Sequence, residues 1–193
     1  MRNGQLKPAY NIQYGIDAEY VVWVTVGPQP TDTTTLLPFL QDFEAHFPQK
    51  YLNIIADAGY ESEENYLYLE QRGQIAYIKP NNYEMSKQRK YQKDIGRREN
   101  MEYNADEDFY VCANGKKISV SGERKQKTKT GYETWKTQYS CENCSNCTLK
   151  EQCIHGNRSK TPLEARTKHF EISKIFQQKR AEDLERITSK KGI

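Results

Sequence analysis

The sequence predicts an α/β protein: a mixed β-sheet flanked by helices and interrupted by a cysteine-rich, mainly β segment. Three observations carry the prediction. Strand-like and helix-like stretches follow one another in the order β-β-α-β-α-β as far as Pro80. A hairpin followed by such alternation builds a sheet with helices packed on it. A polar, basic stretch with Cys141, Cys144, Cys147 and Cys153 comes next, and helical spacing of apolar residues returns from about Pro162.

Residues 9–17, AYNIQYGID, alternate loosely between apolar and polar and read as a strand. Asp17-Ala18-Glu19 reads as a turn. The run YVVWVTV, 20–26, is β-branched and aromatic, and reads as a second strand buried on both faces. Gly27-Pro28-Gln29-Pro30 breaks the hairpin. Thr31 or Asp32 is then placed to cap a helix carrying Leu36, Leu37, Leu40, Phe43 and Phe47 at helical spacing, and Pro48 ends it. YLNIIAD is the third strand. Ser62 caps the next helix, acidic residues fill its first turn and Gly73 closes it. QIAYIKP is a fourth strand, stopped by Pro80. Residues 81–100 are polar and basic, and 109–139 read as two or three short strands around the turn GERKQKTKTG. The expected organisation is a core over 1–80, a basic, Cys-rich segment over 81–161, and a helical segment over 162–193.

Composition sets limits on function. The chain has 193 residues, 36% of them hydrophobic, and a mean hydropathy of −0.97. That is polar for a self-sufficient domain, so irregular or partner-dependent segments are expected. No apolar run approaches the roughly 18 residues of a membrane span, and the N-terminal residues lack the apolar core of a secretory signal. A soluble, cytoplasmic protein with no membrane partner is expected, its five cysteines reduced or metal-bound rather than paired. Charge is uneven: residues 1–80 hold 5 Lys/Arg against 10 Asp/Glu, and the remainder 24 against 16. A basic second half suits a polyanion, although an ordinary solvated surface would look similar.

Asp57 is the first candidate site residue. It ends an apolar strand and is followed at once by Ala58-Gly59-Tyr60. In sheets covered by helices, ligands gather at the C-terminal strand ends, and a carboxylate there suits a hard cation such as Mg²⁺. The competing reading is that Asp57 only caps a turn. The second candidate is the run CENCSNCTLKEQC, C-x2-C-x2-C-x5-C. Closely spaced thiolates converge on one ion, and structural Zn²⁺ takes four of them. An iron–sulfur cluster fits the spacing less well. The compact set Cys141, Cys144, Cys147 and Cys153 is the expected ligand group. Cys112 and His155 are further candidates for the same ion.

The stretches YNIQYGIDAEYVVWVTVGPQPTDTTTLLPFL and IIADAGYESEENYLYLEQRGQIAYIKP resemble the catalytic domain of bacterial insertion-sequence transposases of the DDE type. More narrowly, they resemble those with YN.Q, ADAGY and a Cys-rich insertion after the fourth strand, with a cysteine in a Y.C..G setting like that of Cys112. The resemblance implies an RNase H-like fold and places the family's second catalytic aspartate on Asp57. It implies three carboxylates holding two Mg²⁺ or Mn²⁺ ions, which drive in-line attack on a phosphodiester. DNA, as transposon ends and target, is the implied partner, and the full-length protein is implied to be a homodimer. The family's first Asp lies on a strand before the hairpin and its Glu on a helix after the insertion. Neither context occurs in the sequence, so a central fragment with one of three catalytic carboxylates is expected. Two other readings stand beside it. One is a non-catalytic, zinc-dependent nucleic-acid-binding module. The other is a nuclease completed by Asp17, Asp32 or Glu64. The basic turn and the run 87–98 are expected to meet DNA phosphates. The 14 tyrosines are expected to fill half-buried sheet positions, and His46 and His169 are given no role.

Overall fold

The computed structural model describes residues 9–156 and 159–189. The chain ends, where the preceding strand and the later Glu are sought, lie outside the described residues. The chain divides into two compact units: residues up to Asn81 together with those from Gln178, and the stretch Asn82–Gln177.

In the first unit, β1 (Asn11–Asp17) and β2 (Tyr20–Gly27) form an antiparallel hairpin with a bulge at Gly15/Ile16. Trp23 of β2 docks the hairpin on α1 (Leu36–His46). Its ring meets Phe43 at 6.4 Å and Phe47 at 5.5 Å, both edge-on, and its Nε1 donates to Asp42 Oδ2 at 2.9 Å. Leu36, Leu40 and Phe43 form the buried stripe of α1. The helix does not start at the expected caps. Asp32–Thr34 is a 3₁₀ turn, Thr35 is the N-cap, and no side chain caps the helix. The Asp32 carboxylate is thereby released for another role. β3 (Asn53–Ala56) leads through the 3₁₀ turn Ala58–Tyr60 into α2 (Glu63–Gln71), where Ser62 Oγ accepts from Asn65 N at 3.1 Å. Gly73, at φ +67, ends α2 in the left-handed region and turns the chain into β4 (Ile75–Ile78), which pairs parallel with β3.

Two sequence-based expectations change here. The sequence predicts a single mixed sheet, but among the described residues the hairpin and the parallel pair are separate two-stranded sheets. β1 and β3 each keep one unpaired edge. The apolar run of β2 predicts burial on both faces, yet Val21, Val24 and Val26 are 57%, 45% and 61% exposed. The physical reason is one-sided cover: α1 takes the Trp23 face, while Ile12 and Tyr14, cross-strand from Val26 and Val24, face solvent with them.

The second unit begins with two single-turn helices, α3 (Tyr83–Ser86) and α4 (Arg89–Gln92). Its body is a five-stranded antiparallel sheet in sequential order: β5 (Glu102–Asn104), β6 (Phe109–Val111), β7 (Lys117–Lys127), β8 (Glu133–Cys141) and β9 (His169–Ile172). A short helix, α5 (Lys150–Cys153), lies between β8 and β9. The helical reading of 162–193 therefore needs correction: residues 169–172 are a strand on the free edge of β8, and the long helix α6 begins only at Lys174 (Lys174–Thr188). The core of this sheet is small, with Tyr110, Ile118, Tyr139, Cys141 and Ile172 buried together. Asp108, at φ +53, holds its rim. It accepts from Tyr139 OH at 2.6 Å, Tyr103 OH at 2.8 Å and Lys174 Nζ at 2.6 Å.

In the first unit, the later turns of α6 bring in Asp183, which is 1% exposed. Its carboxylate accepts from Ile78 N at 3.1 Å, Tyr66 OH at 3.2 Å and Arg186 Nη1 at 3.1 Å. It thus satisfies a backbone donor on the unpaired edge of β4. Burial outweighs these bonds and pushes its pKa up to about 6 from 3.8. A carboxyl whose folded pKa is raised contributes stability that is fully present below its unfolded pKa and is lost as pH rises through the folded one. The urea midpoint of the parent should therefore drop as pH rises from about 4 to about 6, and Asp183→Asn, which keeps an acceptor for Ile78 N, should flatten that drop. An unchanged slope in the variant would assign the pH dependence to other groups. Asp108→Ala should destabilise the second unit by about 1–3 kcal/mol in urea unfolding, because it strands the Tyr139 hydroxyl.

Candidate functional site

β3 delivers Asp57 to its C-terminal end. The residue is extended, at φ −75 and ψ 176, and its Oδ1 accepts from Gly59 N at 2.7 Å. The capping role expected of it is real but partial: Asp57 does cap the following 3₁₀ turn, yet it is exposed and its second oxygen is left for other partners. Gly59 is required by close approach. A Cβ there would lie 2.7 Å from Asp32 Oδ2 and 3.0 Å from Asp57 Oδ1. The two carboxylates thus converge over one glycine.

Asp32 is held by a directional chain of hydrogen bonds. Tyr60 OH donates to Gln13 Oε1, Gln13 Nε2 donates to Asn11 Oδ1 at 2.6 Å, and Asn11 Nδ2 donates to Asp32 Oδ1 at 2.7 Å. Burial first, then the charges of Asp32 and Asp57, push the Tyr60 phenol up to about 12. A second clamp is Asn65, fully buried on α2. Its Nδ2 donates to Tyr60 O at 2.6 Å and Thr33 O at 3.2 Å, tying together the two turns that carry Asp57 and Asp32.

Sequence reasoning finds Asp57 but gives Asp32 only a secondary place, as a helix cap or a supplementary acid. Asn11, Gln13 and Tyr60 stand within its motifs without a function of their own. A signal is present: Asn11 and Gln13 are amides in an otherwise apolar hairpin, and Gln13 is 5% exposed. Asp17 and Glu64 have different settings. Asp17 accepts from Tyr51 OH at 3.1 Å, and Glu64 sits in the first turn of α2. Asp57 and Tyr60 stand at a cleft of about 480 Å³ lined by β1 and β3, with Leu36, Leu40 and Phe43 of α1 also lining it. Asp57 at this cleft, with Asp32 close by across Gly59, offers oxygen donors to a hard cation. No group of three or more His, Cys, Asp or Glu among the described residues is already arranged to hold a metal ion.

The cysteines lie in the second unit. Cys112, Cys141, Cys144, Cys147 and Cys153 all line one small cavity of about 20 Å³, with Lys168 beside them. Cys141 is buried in the apolar core, and its Sγ donates to Asn143 O at 3.7 Å. Burial, with the neighbouring Cys144 and Cys112 thiols adding to it, pushes the Cys141 pKa up to about 12. The Cys144 sulfur accepts from Lys168 N at 3.3 Å. His155 is turned to another partner, Asp94 Oδ1, at 2.7 Å.

Beyond Glu123, β7 and β8 leave the sheet as a two-stranded ribbon, since β9 covers only Thr137–Ser140. Arg124 stands directly across from Lys136, and Lys125 across from the exposed Trp135. Like charges placed opposite one another are unfavourable in a sheet, and Glu171 offsets this pair only from the side, at 3.1 Å from Arg124.

Residues 1–184 match the transposase DDE domain family. No curated protein and no solved structure gives a significant match. No helix among the described residues is long and apolar enough to cross a membrane. The family match covers both the carboxylate-bearing turns and the Cys-rich unit, and the chain belongs to the DDE-domain transposases.

Proposed function

We propose that this chain supplies part of the catalytic domain of an insertion-sequence transposase of the ADAGY group, with Asp57 as a metal-holding carboxylate and Asp32 as its neighbour. The observation that carries the reading is the convergence of Asp32 and Asp57 over Gly59 at the end of a strand. DDE transposases act on DNA with divalent metals such as Mg²⁺. A metal bound here would supply Lewis-acid assistance to phosphodiester cleavage and strand transfer. The residues of the chain do the positioning. Asn11 and Gln13 fix the Asp32 carboxylate, Tyr60 fixes Gln13, and Gly59 keeps the space between the acids clear.

The proposed architecture is RNase H-like. An additional extended strand between the open edges of β1 and β3 would join the two small sheets into one. In the family this reading invokes, that strand brings a further carboxylate beside Asp57. The chemistry then needs acids besides Asp57 and Asp32. DNA is the substrate, the active protein is a homodimer, and the compartment is the cytoplasm. A second reading is favoured by the thiol-lined cavity and the basic ribbon of one unit: a zinc-dependent nucleic-acid-binding module without chemistry.

Strand transfer with Mg²⁺ or Mn²⁺ on a transposon-end duplex separates these readings. The transposase that carries this chain should perform strand transfer, where a zinc-dependent binding module would give none. Asp57→Ala should then lower the rate by more than about 10²-fold, with the unfolding midpoint little changed because Asp57 is exposed. Undiminished strand transfer in that variant would remove Asp57 from the site. Tyr60→Phe should cost about 10-fold, the scale of losing an outer hydrogen bond to a metal-holding group. Asn65→Ala should lower stability by about 1–3 kcal/mol in urea unfolding, by leaving Tyr60 O and Thr33 O without their donor.

A further inference from the structure

The second unit points to a metal site whose membership differs from the run of cysteines closest in sequence. We propose that Cys112, Cys144, Cys147 and Cys153 bind one Zn²⁺ as a four-thiolate site, and that Cys141 is a core residue outside it. The proposal rests on the reading that the Cys-rich turn takes a metal, and it deepens that reading by naming the ligands.

Four observations support the assignment. All five cysteines line one cavity of about 20 Å³, little more than one water-sized sphere, which suits a single ion rather than an organic ligand. Cys112 reaches it from a separate place in the chain, the tight β6–β7 turn, where Cys112 N donates to Lys116 O at 3.0 Å and Gly115 N to Cys112 O at 2.8 Å. A fixed turn of this kind presents a thiol as a ready ligand. The Cys144 sulfur already accepts a backbone donor, Lys168 N at 3.3 Å, the outer-shell bond that steadies a metal thiolate. Lys168 Nζ, bound to Gly96 O at 2.6 Å and Cys153 O at 3.2 Å, places a positive charge beside the cavity, where it would offset the net negative charge of a four-thiolate zinc site.

Cys141 and His155 are excluded by what they already do. Cys141 packs with Tyr110, Ile118, Tyr139 and Ile172 and donates its proton to Asn143 O. Cys112 and Cys144 also pack against this cluster but are only partly buried, so drawing them onto an ion disturbs it less than drawing out Cys141, which is 5% exposed. His155 is not among the residues that line the cavity, and its Nε2 is turned to Asp94. The four remaining thiols stand around the cavity without being drawn to ligand distance. Binding must contract them to about 2.3 Å from the ion. That contraction couples the metal to the fold of a unit with a five-residue core.

The test uses the full chain. Zinc content by mass spectrometry should be one equivalent in the parent and in Cys141→Ser. In Cys112→Ser and Cys144→Ser, competition with a chelator should show at least a tenfold loss of affinity. Replacement by Co²⁺ should give the same thiolate-to-metal charge-transfer intensity in Cys141→Ser as in the parent, and lower intensity in Cys112→Ser. A second measurement works even if Cys112→Ser does not fold. In the zinc-loaded parent, Cys112 should resist alkylation until a chelator is added. Loss of zinc in Cys141→Ser with retention in Cys112→Ser would overturn the assignment and restore the contiguous set. A parent without zinc that also fails to take up Zn²⁺ or Co²⁺ would overturn the metal reading itself.

Discussion

The carboxylate-bearing end of the first unit depends on the amide of Asn65. It is fully buried on α2 and donates to two carbonyls, Tyr60 O and Thr33 O, that belong to different turns. Each turn carries one carboxylate. Without the amide, the two turns would have to satisfy those carbonyls separately, and only hydrogen bonds from the hairpin would hold Asp32 over Gly59. The chain Tyr60–Gln13–Asn11–Asp32 works on the same two turns from the strand side. Between them, a helix and a hairpin set the separation of two acids that neither element carries within its own span. Buried polar groups are costly unless paired; the Asn65 Nδ2 donor is paired twice, while its Oδ1 is buried without a partner among the described residues, a cost the fold accepts to keep the two turns tied.

That arrangement explains which parts of the site are legible in the sequence. The carboxylate at the strand end can be read because β3 is a short apolar run that stops at Asp57, and the glycine two residues later marks a tight approach. The helices are legible for the same kind of reason: Ser62 and Gly73 bracket α2, and Leu36, Leu40 and Phe43 recur on one face of α1. Asp32 is easily misread because a helix-cap pattern and a 3₁₀ turn before a helix look alike in sequence. Only the partner Asn11, 21 residues away, distinguishes them. Long-range side-chain pairing has no periodicity to announce it. The same limit explains β9. HFEI lies among charged residues with helical spacing on either side, and only the free edge of β8 makes it a strand.

The sheet of the first unit shows the converse. The sequence of β2 suits burial on both faces, yet the valines that bear this pattern are exposed among the described residues. An apolar pattern records the surroundings a strand is built for. β1 and β3 each have one paired and one open edge, and open edges with apolar faces are aggregation-prone when left uncovered. The pattern of β2 and the edges of β1 and β3 therefore make the same physical demand, for more strand and more cover than these elements give one another.

Two places in the molecule break a local electrostatic rule, and they break it with opposite signs. Asp32 and Asp57 bring negative charge together over Gly59. Arg124 and Lys136 bring positive charge together across the ribbon of the other unit. Neither arrangement gains stability for the fold, since like charges held close raise its free energy. In the first case buried hydrogen bonds impose the geometry. In the second, the strand register imposes it while leaving Trp135 exposed beside the cations. Local rules broken without a gain in stability are expected at functional sites. On the reading proposed above, a divalent cation relieves the first cost and a phosphate backbone the second, and a reaction that cuts DNA with metal ions calls for both.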